Sequence, residues 1–197
     1  MPREPFEIRR VKVGDGIFVP VPAGTAPAPV RRDVPPLALV AGAGLTVLAI
    51  LRLGTGPHAL LVAWLLPVLA SLAAVDARSR VLPNRIVLPA LVAALAWQLA
   101  FFPGRWAEWI GAGLGAGFAL LLPSLIRPGA IGMGDVKLVV LLGVALGADV
   151  VAALTLGLLA AVPAALFILL RGGAAARHSS FAYGPFLALG AAVVLLA

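Results

Sequence analysis

The sequence predicts an all-α fold, a polytopic transmembrane helical bundle of about seven helices. Three observations predict it. The chain of 197 residues is 62% hydrophobic and only 12% charged, with a mean hydropathy of +1.09. That is more apolar surface than a soluble domain of this length buries, so lipid must solvate much of it. The apolar residues fall into long runs separated by short loops rich in Gly, Pro and charge. The basic residues gather in alternate loops, the pattern of a chain threaded back and forth across a bilayer.

Residues 1–35 form a basic arm dominated by Pro, Gly and charge. Its composition is that of a mostly flexible cytosolic tail, with a small hairpin around Asp15-Gly16 in "VKVGDGIFVPVP" as the alternative. Residues 36–56 supply a first transmembrane helix and its loop, and residues 57–197 the remaining helices. The seven apolar runs are 36–53, 57–75, 86–102, 107–126, 136–147, 150–170 and 184–197. A hydrocarbon core of about 30 Å takes about 20 helical residues. The fifth run is therefore short, which draws its first residues and the preceding Asp135 toward the membrane interior. The fourth run contains "GAGLGAGFA", with Gly111, Gly113, Gly115 and Gly117 spaced for close helix packing on one face.

With the arm in the cytoplasm, the inside segments hold thirteen of the fifteen basic residues, leaving Arg52 and Arg105 outside. This positive-inside bias puts the loops 76–85 and 127–137 together on the cytoplasmic side and the C-terminus outside. It also accounts for the pI near 11.5: Lys and Arg at membrane edges mark cytoplasmic loops and lipid headgroup contacts, not nucleic acid. The absence of Cys excludes disulfides, thiolate nucleophiles and Cys-based zinc sites. Two histidines poorly supply a metal site or a Ser/His/Asp triad, so neither metal nor cofactor is expected. The first residues do not form a signal peptide, since no apolar stretch follows their basic region.

Carboxylates near hydrocarbon are expensive, so each one beyond the arm needs a reason. Glu108 and Asp149 fall in short outside loops beside helix starts, an ordinary place for a solvated carboxylate. Asp76 and Asp135 lie at the cytoplasmic edges of apolar runs. Asp76 ends the second run in "VDARSRVLPNRIVLP", where a helix C-terminus opposes a negative charge and makes this acid the better proton holder. Pro83 stops the loop, and Asn84 is placed to N-cap the third helix. A solvated aspartate paired with Arg78 or Arg80 is the plainer alternative. Asp135 opens the fifth helix in "GAIGMGDVKL", where the helix N-terminus favours a carboxylate; Gly132 and Gly134 permit a sharp turn and close approach. Alone this stretch also describes an ordinary turn and cap. Together, two acids on one side of the membrane, one favoring its protonated form and one its charged form, suit an aspartic-peptidase dyad that shares a proton. The alternative is a small transporter or a pilus or secretion assembly protein using the carboxylates for ion binding.

Three stretches resemble the prepilin peptidases, or type IV leader peptidases, which share a motif with the wider GxGD membrane aspartic proteases. They are Asp76 followed after six residues by Pro83-Asn84, "GMGDVKL" from Gly132 to Leu138, and "GPFLALGA" from Gly184 to Ala191. The resemblance spans residues 57–197, which makes six helices the family's and the first helix an addition. It implies an endopeptidase that cuts a short cationic leader from type IV pilin-like preproteins, after a glycine, at the cytoplasmic face of the inner membrane. Asp76 and Asp135 match the catalytic pair, and Gly132 and Gly134 the loop glycines. Lys137 matches a frequent basic position and is otherwise a snorkelling interface lysine. Pro83, Asn84, Gly184 and Pro185 match positions around the site; Pro185 either shapes a substrate groove or starts the last helix. The implied partner is a precursor with an N-terminal transmembrane helix, held beside the site within the lipid. Larger members add a CxxC-bearing domain and N-methylation, neither of which transfers to a chain without Cys. "FAY" before Gly184 departs from the usual apolar-Pro-Phe lead-in and bears on substrate preference.

Overall fold

The computed structural model describes residues 8–13, 17–22, 34–126, 132–172 and 182–197, and divides into two units, 1–31 and 32–197. In the first unit the hairpin alternative is the one adopted. Strands β1 (Ile8–Val13) and β2 (Ile17–Pro22) pair antiparallel, with Val13 opposite Ile17 and Ile8 opposite Pro22. Asp15 and Gly16, where the turn is expected, lie outside the described residues, as do residues 127–131 and Arg177.

The second unit is all-α. Its helices are α1 (Pro36–Leu53), α2 (Pro57–Ser79), α3 (Asn84–Phe101), α4 (Trp106–Ile126), α5 (Met133–Leu146), α6 (Val150–Gly172) and α7 (Gly184–Leu196). Each apolar run of the sequence has become one helix. Among the described residues five stretches are long and apolar enough to cross a membrane, the last of them running from Met133 through the α5–α6 turn to Phe167. The protein is a multi-pass membrane protein. Large apolar side chains face outward on α1, α3, α4 and α6, among them Leu37, Val92, Leu114 and Leu159, as lipid rather than water requires.

Helices α2 and α5 form the centre. Leu61, Leu65, Leu66 and Leu72 of α2 and Leu138, Leu141 and Leu142 of α5 are fully buried. Around them α1 packs on α2, α4 on α5 and α6 on α7, with α7 also against α2 and α3 against α5. Small residues set these distances. A Cβ on Gly143 would stand 2.6 Å from Gly113 Cα, and one on Gly113 or Gly117 would strike Val144 or Val140. Gly111 and Gly115 meet nothing within 4 Å, so two of the four α4 glycines, not all, make the α5 contact.

Two polar side chains, a half-buried threonine and a buried glutamine, repair gaps in backbone hydrogen bonding. Pro67, inside α2, has no N–H to give the carbonyl of Ala63 one turn back. Thr46 of α1 donates its hydroxyl to that oxygen at 2.8 Å, and a Cβ on Gly42 would lie 2.8 Å from Pro67 Cα. The first helix is thus keyed to the proline in α2. Helix α5 ends after 14 residues, leaving carbonyls at membrane depth that need donors. Gln98 of α3, 1% exposed, donates Nε2 to Ala145 O at 2.9 Å.

Three local expectations change. Helix α2 runs to Ser79, so Asp76 sits inside its last turn and is 4% exposed; a solvated loop aspartate is not what forms. Helix α5 starts at Met133 rather than Val136, because Gly132 takes an extended backbone and its carbonyl accepts the N–H groups of Asp135 and Val136. Asn84 does not cap α3: Pro83 holds that position without a side-chain cap, and the Asn84 side chain is engaged elsewhere.

Candidate active site

One end of the bundle gathers the last turn of α2 and the first turns of α3, α5 and α7. Helix α2 closes on Arg80, a left-handed residue with φ of 51° whose N–H donates to Asp76 O at 2.8 Å. The turn lets the chain double back through Leu82 to Pro83 and α3. Against this turn comes α5, and Gly134 is what lets it approach: a Cβ there would lie 2.9 Å from Leu82 Cβ.

The Asp76 carboxylate is held by α7. The backbone N–H of Gly184 donates to Asp76 Oδ2 at 3.0 Å, and a Cβ on Gly184 would stand 2.6 Å from that oxygen. Only glycine brings its amide so near. Asp135 is the third residue of α5 and accepts a hydrogen bond from the backbone N–H of Gly132, the residue that caps the helix. An acid three residues into a helix, reaching back to the cap, is half of a capping box. The turn-and-cap alternative is therefore partly realised, with Asp135 as the reaching acid and Gly132 as the cap.

Both aspartates line one cavity of about 320 Å³, together with Arg80, Asn84, Gly132 and Lys137. The two carboxyls are near enough to act on each other electrostatically, and Arg80 acts on Asp76. Lys137 donates Nζ to Asn84 Oδ1 at 3.0 Å, joining the starts of α5 and α3 at the cavity wall. Gly184 touches the site through Asp76. Pro83 and Pro185 serve as the starts of α3 and α7, so of the two expectations for Pro185 the structure displays helix initiation. Glu108, at the opposite end, accepts two hydrogen bonds from Arg105, at 2.7 and 2.6 Å, and one from the Ala148 amide, pinning the α5–α6 turn.

Chemically, the arrangement offers two acids at one cavity and two cations beside them. Such a pair can divide one proton between general acid and general base. The model of the type IV leader peptidase family matches residues 59–171. The chain belongs to the type IV leader peptidase family. No curated protein and no solved structure matched it.

The leader peptidase match runs from α2 to the end of α6, taking in Asp76, Pro83, Asn84, Gly132, Gly134, Asp135 and Lys137. It leaves outside it the hairpin, α1, and α7 with Gly184 and Pro185. Membership makes this a protein of a peptidase family. It favours the peptidase over the transporter or assembly protein. One site residue carried no direct sequence signal, Leu82, whose partner Gly134 gave the only hint; Arg80 was legible as a charge partner of Asp76, but its left-handed backbone was not.

Proposed function

We propose that the protein is an aspartic endopeptidase that removes the cationic leader from type IV pilin-like preproteins at the cytoplasmic membrane face. The observation that carries this reading is the meeting of Asp76 and Asp135, from separate helices, at one polar cavity. Family membership supplies the reaction class.

In the proposed reaction a water lies between the two carboxyls. The protonated acid polarises the scissile carbonyl while the ionised partner takes a proton from the water as it attacks. The tetrahedral intermediate then collapses with a proton delivered to the leaving amine. Asp76 is the candidate proton holder because it sits at the C-terminal end of α2, where the helix opposes a negative charge; its Oδ2 accepts the Gly184 amide. Asp135, in the first turn of α5 where the helix N-terminus favours a carboxylate, is the candidate base. The two titrate as a coupled pair, so these roles belong to one microstate of it.

The positive-inside distribution supports a cytoplasmic N-terminus in the inner membrane, with the Asp76 and Asp135 end facing the cytoplasm. Lys137 and Asn84 are proposed to position substrate across the cavity mouth, and Gly132 and Gly134 to allow the α5 start its close approach. The test is direct: incubate the purified protein with pilin-like precursors in detergent or lipid and sequence the new N-terminus of each product. The proposal expects one cut between the cationic leader and the apolar segment. Precursors left whole, or cut elsewhere, would refute it.

A further inference from the structure

Asp135 stands between two unlike cavities. On one side is the polar cavity it shares with Asp76, Arg80, Asn84 and Lys137. On the other is an apolar groove of about 340 Å³, walled by Leu120 of α4, Leu154 and Leu158 of α6, and Phe186 and Leu187 of α7. The groove follows from how the helices pair. Gly143 seats α5 on α4, and Gly157 and Gly190 seat α6 on α7 so closely that a Cβ on Gly190 would overlap the backbone of α6. Between the two tight pairs, α4 and α6 meet only sparsely. The gap opens at the lipid-facing surface, where Leu158 is 60% exposed.

The chemistry of the lining defines its occupant. Thr155 lies in the groove wall, but its hydroxyl donates to Val151 O at 2.7 Å within α6. A chain lying there along α6 therefore finds the one hydroxyl of that wall already engaged, and at membrane depth an unpaired backbone group is strongly unfavourable. The occupant must satisfy its own backbone, which makes it an apolar helix. At Asp135 the surroundings become polar, and Asn84, Lys137 and Arg80 supply hydrogen-bonding groups able to receive an unwound backbone.

We infer that the groove between α4, α6 and α7 seats the apolar helix that follows the scissile bond, with Leu158 and Phe186 selecting the residues just beyond the cut. The inference rests on the peptidase reading of Asp135. It places the helical end of the substrate in the groove, the unwound scissile bond over Asp135 and the backbone just before the cut at the polar cavity.

The absence of Cys from the chain permits a clean crosslinking test. In an Asp76→Asn protein, which holds precursor uncut, Leu158→Cys is paired with single cysteines along the precursor's apolar segment. Val92→Cys, 67% exposed on α3 and away from both cavities, is the control. Crosslinks from Leu158→Cys to the first turns of the segment and none from Val92→Cys are expected; equal crosslinking, or none from Leu158→Cys, overturns the groove. In the otherwise unaltered enzyme, Leu158→Trp overfills the groove and should lower kcat/KM about tenfold through KM for a precursor with a bulky apolar residue after the cut. A precursor with Ala there should recover most of the loss. Unchanged kinetics with both precursors contradicts the inference. If the unaltered protein cuts no precursor, the peptidase reading falls first; if it cuts normally while both Leu158 tests fail, only the groove falls.

Discussion

At the level of single residues, Gly184 does two things that no other residue can combine: it delivers a backbone N–H to Asp76 and leaves room for the carboxylate that accepts it. Gly184→Ala should displace the Asp76 carboxyl and reduce cleavage about a hundredfold, the scale on which small misplacements of reacting groups act, while the protein still inserts; near-normal cleavage would remove Gly184 from the site. Gly134 is tight for a different reason, its contact with Leu82. Gly134→Ala should destabilise the protein by about 1–3 kcal/mol through overpacking. Adding Leu82→Ala should recover part of that loss, a coupling that a double-mutant cycle in a detergent unfolding assay reads directly. The sequence displayed both aspartates because charge is conspicuous beside apolar runs. The service of Gly184 to Asp76 was hidden, since their meeting depends on α7 packing against α2.

At the level of elements, helix count and boundaries were legible because each apolar run is bracketed by Gly, Pro or charge. The misplaced start of α5 has a physical cause: two glycines before Asp135 read as a turn, yet the Gly132 carbonyl starts the helix and Gly134 lies within it, its missing side chain leaving room for Leu82. Asn84 looked like a cap by its type and position, but Lys137 from α5 takes its side chain. Spacing alone likewise put all four α4 glycines on one packing face, where Gly113 and Gly117 but not Gly111 and Gly115 meet α5. Helix α1 lies outside the family match and is nonetheless fitted to α2 through Pro67. Thr46→Val keeps the shape and removes the hydroxyl given to Ala63 O. It should cost about 1 kcal/mol, the usual scale for an interhelical hydrogen bond in a membrane, and should leave cleavage at saturating substrate unchanged. A larger effect on activity than on stability would mean that α1 acts on the site itself.

At the level of the whole molecule, two buried helices, α2 and α5, carry the two acids into one cavity while the other helices meet the lipid. The positive-inside distribution predicts an outside C-terminus for seven crossings, so a reporter fused after Ala197 should signal the non-cytoplasmic side; a cytoplasmic signal would reverse the proposed face of the cavity. The central claim is that Asp76 and Asp135 act as one catalytic pair. Its most direct test is leader cleavage by purified Asp76→Asn and Asp135→Asn proteins, each first shown to be inserted and folded. Each isosteric change should abolish cleavage, and the double variant should be no worse than either single one, as for residues that act as a unit. Full cleavage by either single variant would contradict the claim.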